Sequence, residues 1–165
     1  MNPTLSGGEP QTPTQLQTAL GALPHGPEFR FVDRLTALNP GVDGAGEFTL
    51  RGDEPFLRGH FPGAPLLPGV LLVEAGAQLA GVIAQSDPAH LPLRNLKLTA
   101  IRNAKILGSA LPGQLVTLTA RVTARLGPLI QACIDAAVAG TLILQGEVTL
   151  AGDPPAGPAE SSTNP

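Results

Sequence analysis

The chain has 165 residues, 42% of them hydrophobic, with five phenylalanines, neither tyrosine nor tryptophan, and a formal net charge of −3. That length suits one domain with a sizeable aliphatic core, and no apolar run approaches a membrane span, residues 70–84 being interrupted by Glu74 and Gln78. The single cysteine, Cys133, leaves no internal disulfide and fits a reducing cytoplasm, and an acidic chain without aromatics to stack bases argues against nucleic acid.

Residues 1–15, rich in Pro, Thr and Gly and with no basic segment leading into an apolar one, read as a disordered tail rather than a signal peptide. The domain is expected over 16–151, followed by a second tail at 152–165. TQLQTALGA, at 14–22, predicts a short helix that ends before Pro24. Residues 29–38 and 44–50 predict two strands separated by the turn-rich NPGVDG. A long Gly- and Pro-studded loop covers 51–68. Pro68 and Gly69 then suit the entry to a Leu- and Ala-rich helix that runs to about Gln85 and stops at Ser86-Asp87-Pro88.

The second half changes period. In LVTLTARVTARL the residues Val116, Leu118, Ala120 and Val122 point one way and Thr117, Thr119, Arg121 and Thr123 the other, as in a half-buried antiparallel strand. Residues 129–138 and 141–150 alternate less cleanly, and 93–107 form a further strand whose alternation slips near Ala100-Ile101, as a bulge would make it. The expected architecture is α+β: an antiparallel sheet of five or six strands wrapped around one long central helix.

Two features bear on chemistry. Between Asp87 and Asp135 there is no acidic residue, while Arg94, Lys97, Arg102, Lys105, Arg121 and Arg125 all fall in that interval. Unopposed positive charge attracts an anionic partner, although ordinary surface charge accounts for it as readily. On the long helix, Glu74, Gln78, Gly81 and Gln85 fall on one narrow stripe of an apolar cylinder. The stripe is either a solvated face or a functional one. Fourteen residues before Glu74 stands His60, in a loop stiffened by Pro62, Pro65 and Pro68. An imidazole and a carboxyl group can divide base and acid roles, and the N–H groups at Gly69 can receive a developing oxyanion at the helix start. The histidines and cysteine show no metal-ligand spacing, and no phosphate-cradling glycine motif is present.

The stretch GHFPGAPLLPGVLLVEAGAQ, from Gly59 to Gln78, resembles the signature of the β-hydroxyacyl-acyl carrier protein dehydratases, G-H-F-P-x-x-P-x-x-P-G-V-L-x-x-E-A-x-A-Q, at every fixed position. LPHGPEFRFVDRL at 23–35 and ILGSALPGQL at 106–115 are similar to flanking parts of the same family. The resemblance implies a hotdog fold and the dehydration of a 3-hydroxyacyl-[acyl carrier protein] to its trans-2-enoyl form in fatty acid biosynthesis. It makes His60 the base and Glu74 the acid, with Gly69 and Val70 supplying amides to the thioester carbonyl. Phe61, Gln78 and His25 become substrate-channel or supporting residues. It also implies a homodimer whose sites combine His and Glu from two subunits, sometimes a trimer of dimers. No cofactor is expected beyond the phosphopantetheine arm of the acyl carrier protein, for which Arg102 and Lys105 are the first choice of docking surface.

The chain departs from the family pattern in two places. Gly26, Pro27 and Glu28 stand where Arg-Tyr-Pro is usual, and the segment from Asn103 to Gln114 lacks the usual Phe and the Asp after Pro-Gly. His90 reads as incidental. The alternatives are a hotdog thioesterase or enoyl-CoA hydratase, and a non-catalytic acyl-binding subunit; an intact His60 and Glu74 speak for an enzyme.

Overall fold

The computed structural model describes residues 11–155, so most of both expected tails lies outside the described residues. Helix α1 (Pro13–Gly21) starts ahead of the expected domain boundary because Thr12 caps it: its side chain accepts from the Gln15 N–H while the Gln15 side chain accepts from the Thr12 N–H. Strands β1 (Arg34–Asn39) and β2 (Asp43–Thr49) form the first hairpin. Helix α2 (Gly69–Gln85) follows, then β3 (Arg94–Ile106), β4 (Leu115–Leu126), β5 (Leu129–Val138) and β6 (Thr141–Asp153). The last strand thus outruns the expected boundary by two residues, its end paired with Arg94.

All six strands join one antiparallel sheet in the order β1-β2-β4-β5-β6-β3. The clean alternation of β4 appears as buried Val116, Leu118 and Ala120 against more open neighbours. The slip anticipated in β3 is a register shift between Leu98 and Ala100, with further shifts on either side of it. Strand β3 is one edge of the sheet, and its far half, residues 101–106, is exposed throughout.

One expectation fails. Residues 29–33 are not strand: Pro27–Phe29 make a single 3₁₀ turn and the ladder begins only at Arg34. Two of the peptide groups that a strand would offer to a neighbour are taken by a side chain, while the Asp33 N–H already donates to the Glu47 carbonyl at 2.7 Å. The Phe31 N–H donates to Gln78 Oε1 at 2.9 Å, and the Phe29 carbonyl accepts from Gln78 Nε2 at 2.9 Å.

Helix α2 lies in the hollow of the sheet, with Leu72, Leu79 and Ile83 fully buried against Leu118, Ile130, Ile134 and Leu144. Its C-terminal carbonyls, which have no partner within the helix, are met from outside. Arg125 Nη1 donates to the Ala84 carbonyl at 2.9 Å and Ser86 Oγ to that of Val82 at 2.7 Å. Beyond them Asp87 accepts from the Ala89 N–H and from His90 Nδ1. These two hydrogen bonds hold the Asp87 carboxyl below its usual range, so this turn loses support as pH falls through that lowered value. His90 is accordingly a turn residue.

At Gly76 the helix packs so closely on β5 that an added Cβ would stand 2.8 Å from Ile134 Cβ. Gly76→Val is therefore expected to lower stability by about 1–3 kcal/mol through overpacking, read as a drop in the urea midpoint with unchanged slope.

Candidate active site

Glu74, Gln78, Gly81 and Gln85 do share one side of α2, and that side is not a solvated face. Gln78 is 3% exposed, Gly81 is buried, and all four line a cavity of about 500 Å³ beside the helix. The opposite wall is Leu93, Leu96, Leu98 and Leu150, and the segment from Ala22 to His25 closes one side. Glu74, Gln78 and His25 share one end of it, and Gln85, Asn95 and Lys97 add further polar groups to the lining.

The geometry there is fixed by Gln78. Its carbonyl oxygen must face the Phe31 N–H and its amino group the Phe29 carbonyl, which settles the orientation of the amide. The remaining N–H of that amino group donates to Glu74 Oε1 at 3.0 Å. His25 Nε2 stands 3.4 Å from the same oxygen, while Arg30 Nη2 donates to the His25 carbonyl at 3.3 Å and steadies the loop. Oε1 is thus committed as an acceptor, and a proton carried by Glu74 belongs on Oε2.

His60 follows the 3₁₀ turn Pro55–Gly59 and is partly buried. Its Nδ1 lies 3.1 Å from the Leu66 carbonyl, and the Leu66 N–H donates back to the His60 carbonyl at 3.2 Å. A carbonyl only accepts, so Nδ1 carries the hydrogen of the neutral ring and Nε2 keeps its lone pair. The exposed ring of Phe61 stacks on the His60 ring with centroids 4.2 Å apart. Yet His60 does not line the cavity at Glu74, and within the chain the histidine beside Glu74 is His25.

Gly69 and Val70 open α2 after Pro68, which has no side-chain donor or acceptor to cap the helix; the Leu71 N–H donates to the Pro68 carbonyl at 2.9 Å, and those of Gly69 and Val70 have no partner among the described residues. Ile106 from the end of β3 lies over Gly69, where an added Cβ would collide with its Cδ1. Val70 is 70% exposed, and Ile106 and Leu107 are exposed beside it.

The basic stretch disperses on folding. Arg125 ties down the end of α2, Arg94 donates to the Pro154 carbonyl, Lys97 lines the cavity, and Arg102 and Lys105 remain exposed on β3. In the segment that departs from the family pattern, Gln114 stands in place of the Asp, and its side-chain oxygen accepts from the Leu111 N–H at 2.7 Å, closing the turn. Among the described residues no group of three or more His, Cys, Asp or Glu is placed to hold a metal ion, and no helix is long and apolar enough to cross a membrane.

Residues 23–147 match the family model of the FabA-like domain. The chain belongs to the FabA-like family. A 3-hydroxyacyl-[acyl-carrier-protein] dehydratase FabZ from Ruminiclostridium cellulolyticum is 33% identical over 132 residues, covering 78% of this chain and 90% of that relative. Another, from Chloroflexus aggregans, is 45% identical over 75 residues, which span 46% of this chain and about half, 52%, of the relative. Among solved structures, the dehydratase heterocomplex ApeI:P from Xenorhabdus doucetiae superposes with a TM-score of 0.67 at 15% identity, covering 79% of this chain and 87% of that one. Zebra fish thioesterase superfamily member 2 superposes with a TM-score of 0.63 at 19% identity, covering 84% and 96%. The fold is therefore the hotdog fold, and it is FabA-like family membership, not fold, that separates dehydratase from thioesterase relatives.

Sequence reasoning paired Glu74 with His60 and gave His25 a supporting place. The matched LPH at 23–25 is the signal that draws attention to His25, but its approach to Glu74 depends on a loop held by Gln78 and Arg30. Gln78→Leu should lower stability by about 2–3 kcal/mol, because it strands the buried Phe31 N–H and the Phe29 carbonyl. Urea unfolding measures that loss, and kcat should fall with it as Glu74 loses its donor.

Proposed function

We propose that the protein removes water from (3R)-3-hydroxyacyl-[acyl carrier protein] to give trans-2-enoyl-[acyl carrier protein] in fatty acid biosynthesis. The observation that carries this reading is a carboxyl group with one oxygen bound by a buried amide and the other without a partner among the described residues, set in a largely aliphatic cavity in a FabA-like chain. The thioester oxygen sits at the N–H groups of Gly69 and Val70, where the start of α2 favours the negative charge that develops. His60 Nε2 takes the C2 proton. The C2–H electrons become the C2–C3 double bond, the C3–O bond breaks, and Glu74 gives the leaving hydroxyl its Oε2 proton so that it departs as water. Afterwards the proton on His60 and the charge on Glu74 are reset through solvent. The phosphopantetheine arm of the carrier brings in the substrate, and the reaction uses no cofactor of the protein's own.

Because His60 lies away from the Glu74 cavity, the complete site takes its histidine from a second copy of the chain. Three features support a homodimer: the edge of β3 that has no strand partner among the described residues, the exposed Ile101 and Ile106 on it with Leu107 just after it, and Phe61 and Val70 exposed near the site. Dimers of this kind can assemble further into a trimer of dimers. Arg102 and Lys105, exposed on β3, suit the acidic surface of an acyl carrier protein, and the site of action is the cytoplasm. Phe61, stacked on His60, forms part of the substrate channel.

Absorbance of the enoyl thioester follows the reaction directly. His60→Ala and Glu74→Gln should each lower kcat by roughly 100-fold or more, as loss of a general acid or base does. Mixing the two inactive variants under subunit exchange should restore about a quarter of wild-type activity, since half of randomly formed dimers then carry one intact pair in two sites. No recovery on mixing would place each pair within one subunit. Release of free thiol in place of enoyl absorbance would make the protein a thioesterase.

A further inference from the structure

Within the chain the histidine beside Glu74 is His25, and the chemistry proposed above makes no use of it. Its ring is held from several sides. Pro24 and Pro27 each fix a backbone dihedral close to it, and the Phe29 N–H donates to the Gly26 carbonyl at 3.0 Å. Arg30 Nη2 donates to the His25 carbonyl at 3.3 Å, and the Phe29 ring lies alongside the imidazole with centroids 6.1 Å apart. The Phe29 carbonyl is in turn bound by Gln78, which also donates to Glu74, so imidazole and carboxyl share one frame.

The two ring nitrogens differ. Nε2 stands 3.4 Å from Glu74 Oε1, whereas Nδ1 is buried and has no partner among the described residues. A hydrogen on Nδ1, in the imidazolium or in the Nδ1–H tautomer, would be a buried donor with nothing to receive it, which is costly. The neutral ring with its hydrogen on Nε2 avoids this and turns a donor toward an oxygen that accepts. In that form Nε2 has no lone pair to take a C2 proton, and Nδ1 is closed to substrate. His25 is thereby neither a second base nor a proton relay. What it offers Glu74 is a fixed N–H.

That N–H contributes little while Glu74 keeps its proton, since 3.4 Å is long for a hydrogen bond. It gains strength once the carboxyl is charged, because hydrogen bonds to an ionised acceptor are shorter and about twice as strong. Charge arrives at one step. As the C3–O bond breaks, the Oε2 proton passes to the leaving oxygen, and the electrons of the O–H bond stay on the carboxylate.

Resting on the dehydratase reading above, we propose that His25 is a positioning residue for the catalytic acid: its neutral ring donates from Nε2 to Glu74 Oε1 and, with Gln78, stabilises the carboxylate that forms as the leaving hydroxyl is protonated. The contact is stronger in the transition state than in the ground state, so it acts on kcat and leaves KM nearly unchanged.

The test compares dehydration of a 3-hydroxydecanoyl thioester of acyl carrier protein by wild type, His25→Leu and His25→Gln, with urea unfolding to check each fold. Leucine fills the position without a donor, and glutamine brings an amide N–H close to where Nε2 stands. His25→Leu should lower kcat about tenfold or more with KM within about twofold, the loss expected when a hydrogen bond to a charged group is removed. His25→Gln should recover most of that loss. A folded His25→Leu protein with wild-type kcat overturns the proposal. So does an equal loss in both variants, which makes the ring a structural element, or a rise in KM alone, which makes it a substrate contact. Nitrogen NMR of the imidazole reads the same contact without turnover. At neutral pH His25 should carry its hydrogen on Nε2 alone, and Glu74→Gln should shift that resonance. A hydrogen on Nδ1, or a resonance that Glu74→Gln leaves unmoved, overturns the contact. Should wild type fail to dehydrate the thioester, the dehydratase reading falls, and the NMR result still upholds or overturns the pairing of His25 with Glu74.

Discussion

The buried amide of Gln78 is the interaction on which the rest of the site depends. A primary amide in an apolar interior must satisfy an acceptor and two N–H donors, and here each has one partner: the Phe31 N–H, the Phe29 carbonyl and Glu74 Oε1. Two of these partners belong to the chain entering the sheet and the third to the reacting group. One side chain therefore halts the first strand before it starts, fastens that segment across α2, and occupies one oxygen of Glu74. In surroundings of low dielectric such a network is stiff, because any member that moves leaves another unpaired. His25 adds to it only because the fastened segment carries its ring within 3.4 Å of Glu74.

The central helix serves two requirements that pull against each other. Toward the sheet it must pack without voids, and at Gly76 the backbone comes so close to Ile134 that nothing larger than hydrogen fits. Toward β3 it must stay apart from the leucines that face it, so the floor of the cavity is built from Ala77, Gly81 and two long amides in place of large aliphatic side chains. An apolar cavity of this size forgoes packing energy that a filled core would supply. Two hydrogen bonds between Gln85 and the Leu93 backbone, from Nε2 to the carbonyl at 2.7 Å and from the N–H to Oε1 at 3.0 Å, fasten the segment before β3 to the end of α2.

His60 illustrates how a side chain can be prepared and yet incomplete. The Leu66 carbonyl fixes its tautomer, and Phe61 stacks on its ring. Phe61 beside it is itself exposed, and His60 and Glu74 do not share a cavity within the chain.

Much of this was legible in the sequence. The ends of α2 were written in Pro68-Gly69 and Ser86-Asp87-Pro88, because those residues act on the backbone locally, and β4 in strict alternation, because a sheet with one buried face enforces it. The match of Gly59–Gln78 to a family signature singled out His60, Glu74, Gly69 and Gln78 before any geometry was known. Residues 29–33 misled, since their apolar alternation is that of a strand while their hydrogen-bonding partner lies forty-seven residues away, in Gln78. The stripe on α2 was visible, but whether it met water or a cavity turned on the distance of β3 from the helix. The basic interval was likewise visible, but Arg94 and Arg125 were drawn to backbone carbonyls that only the folded chain brings near. What the sequence determined by itself was what local sterics and periodicity control: most of the elements and their order. Tertiary structure alone decided which oxygen of Glu74 is bound by Gln78, which histidine lies beside it and what the stripe on α2 faces, because each depends on contacts between segments far apart in the chain.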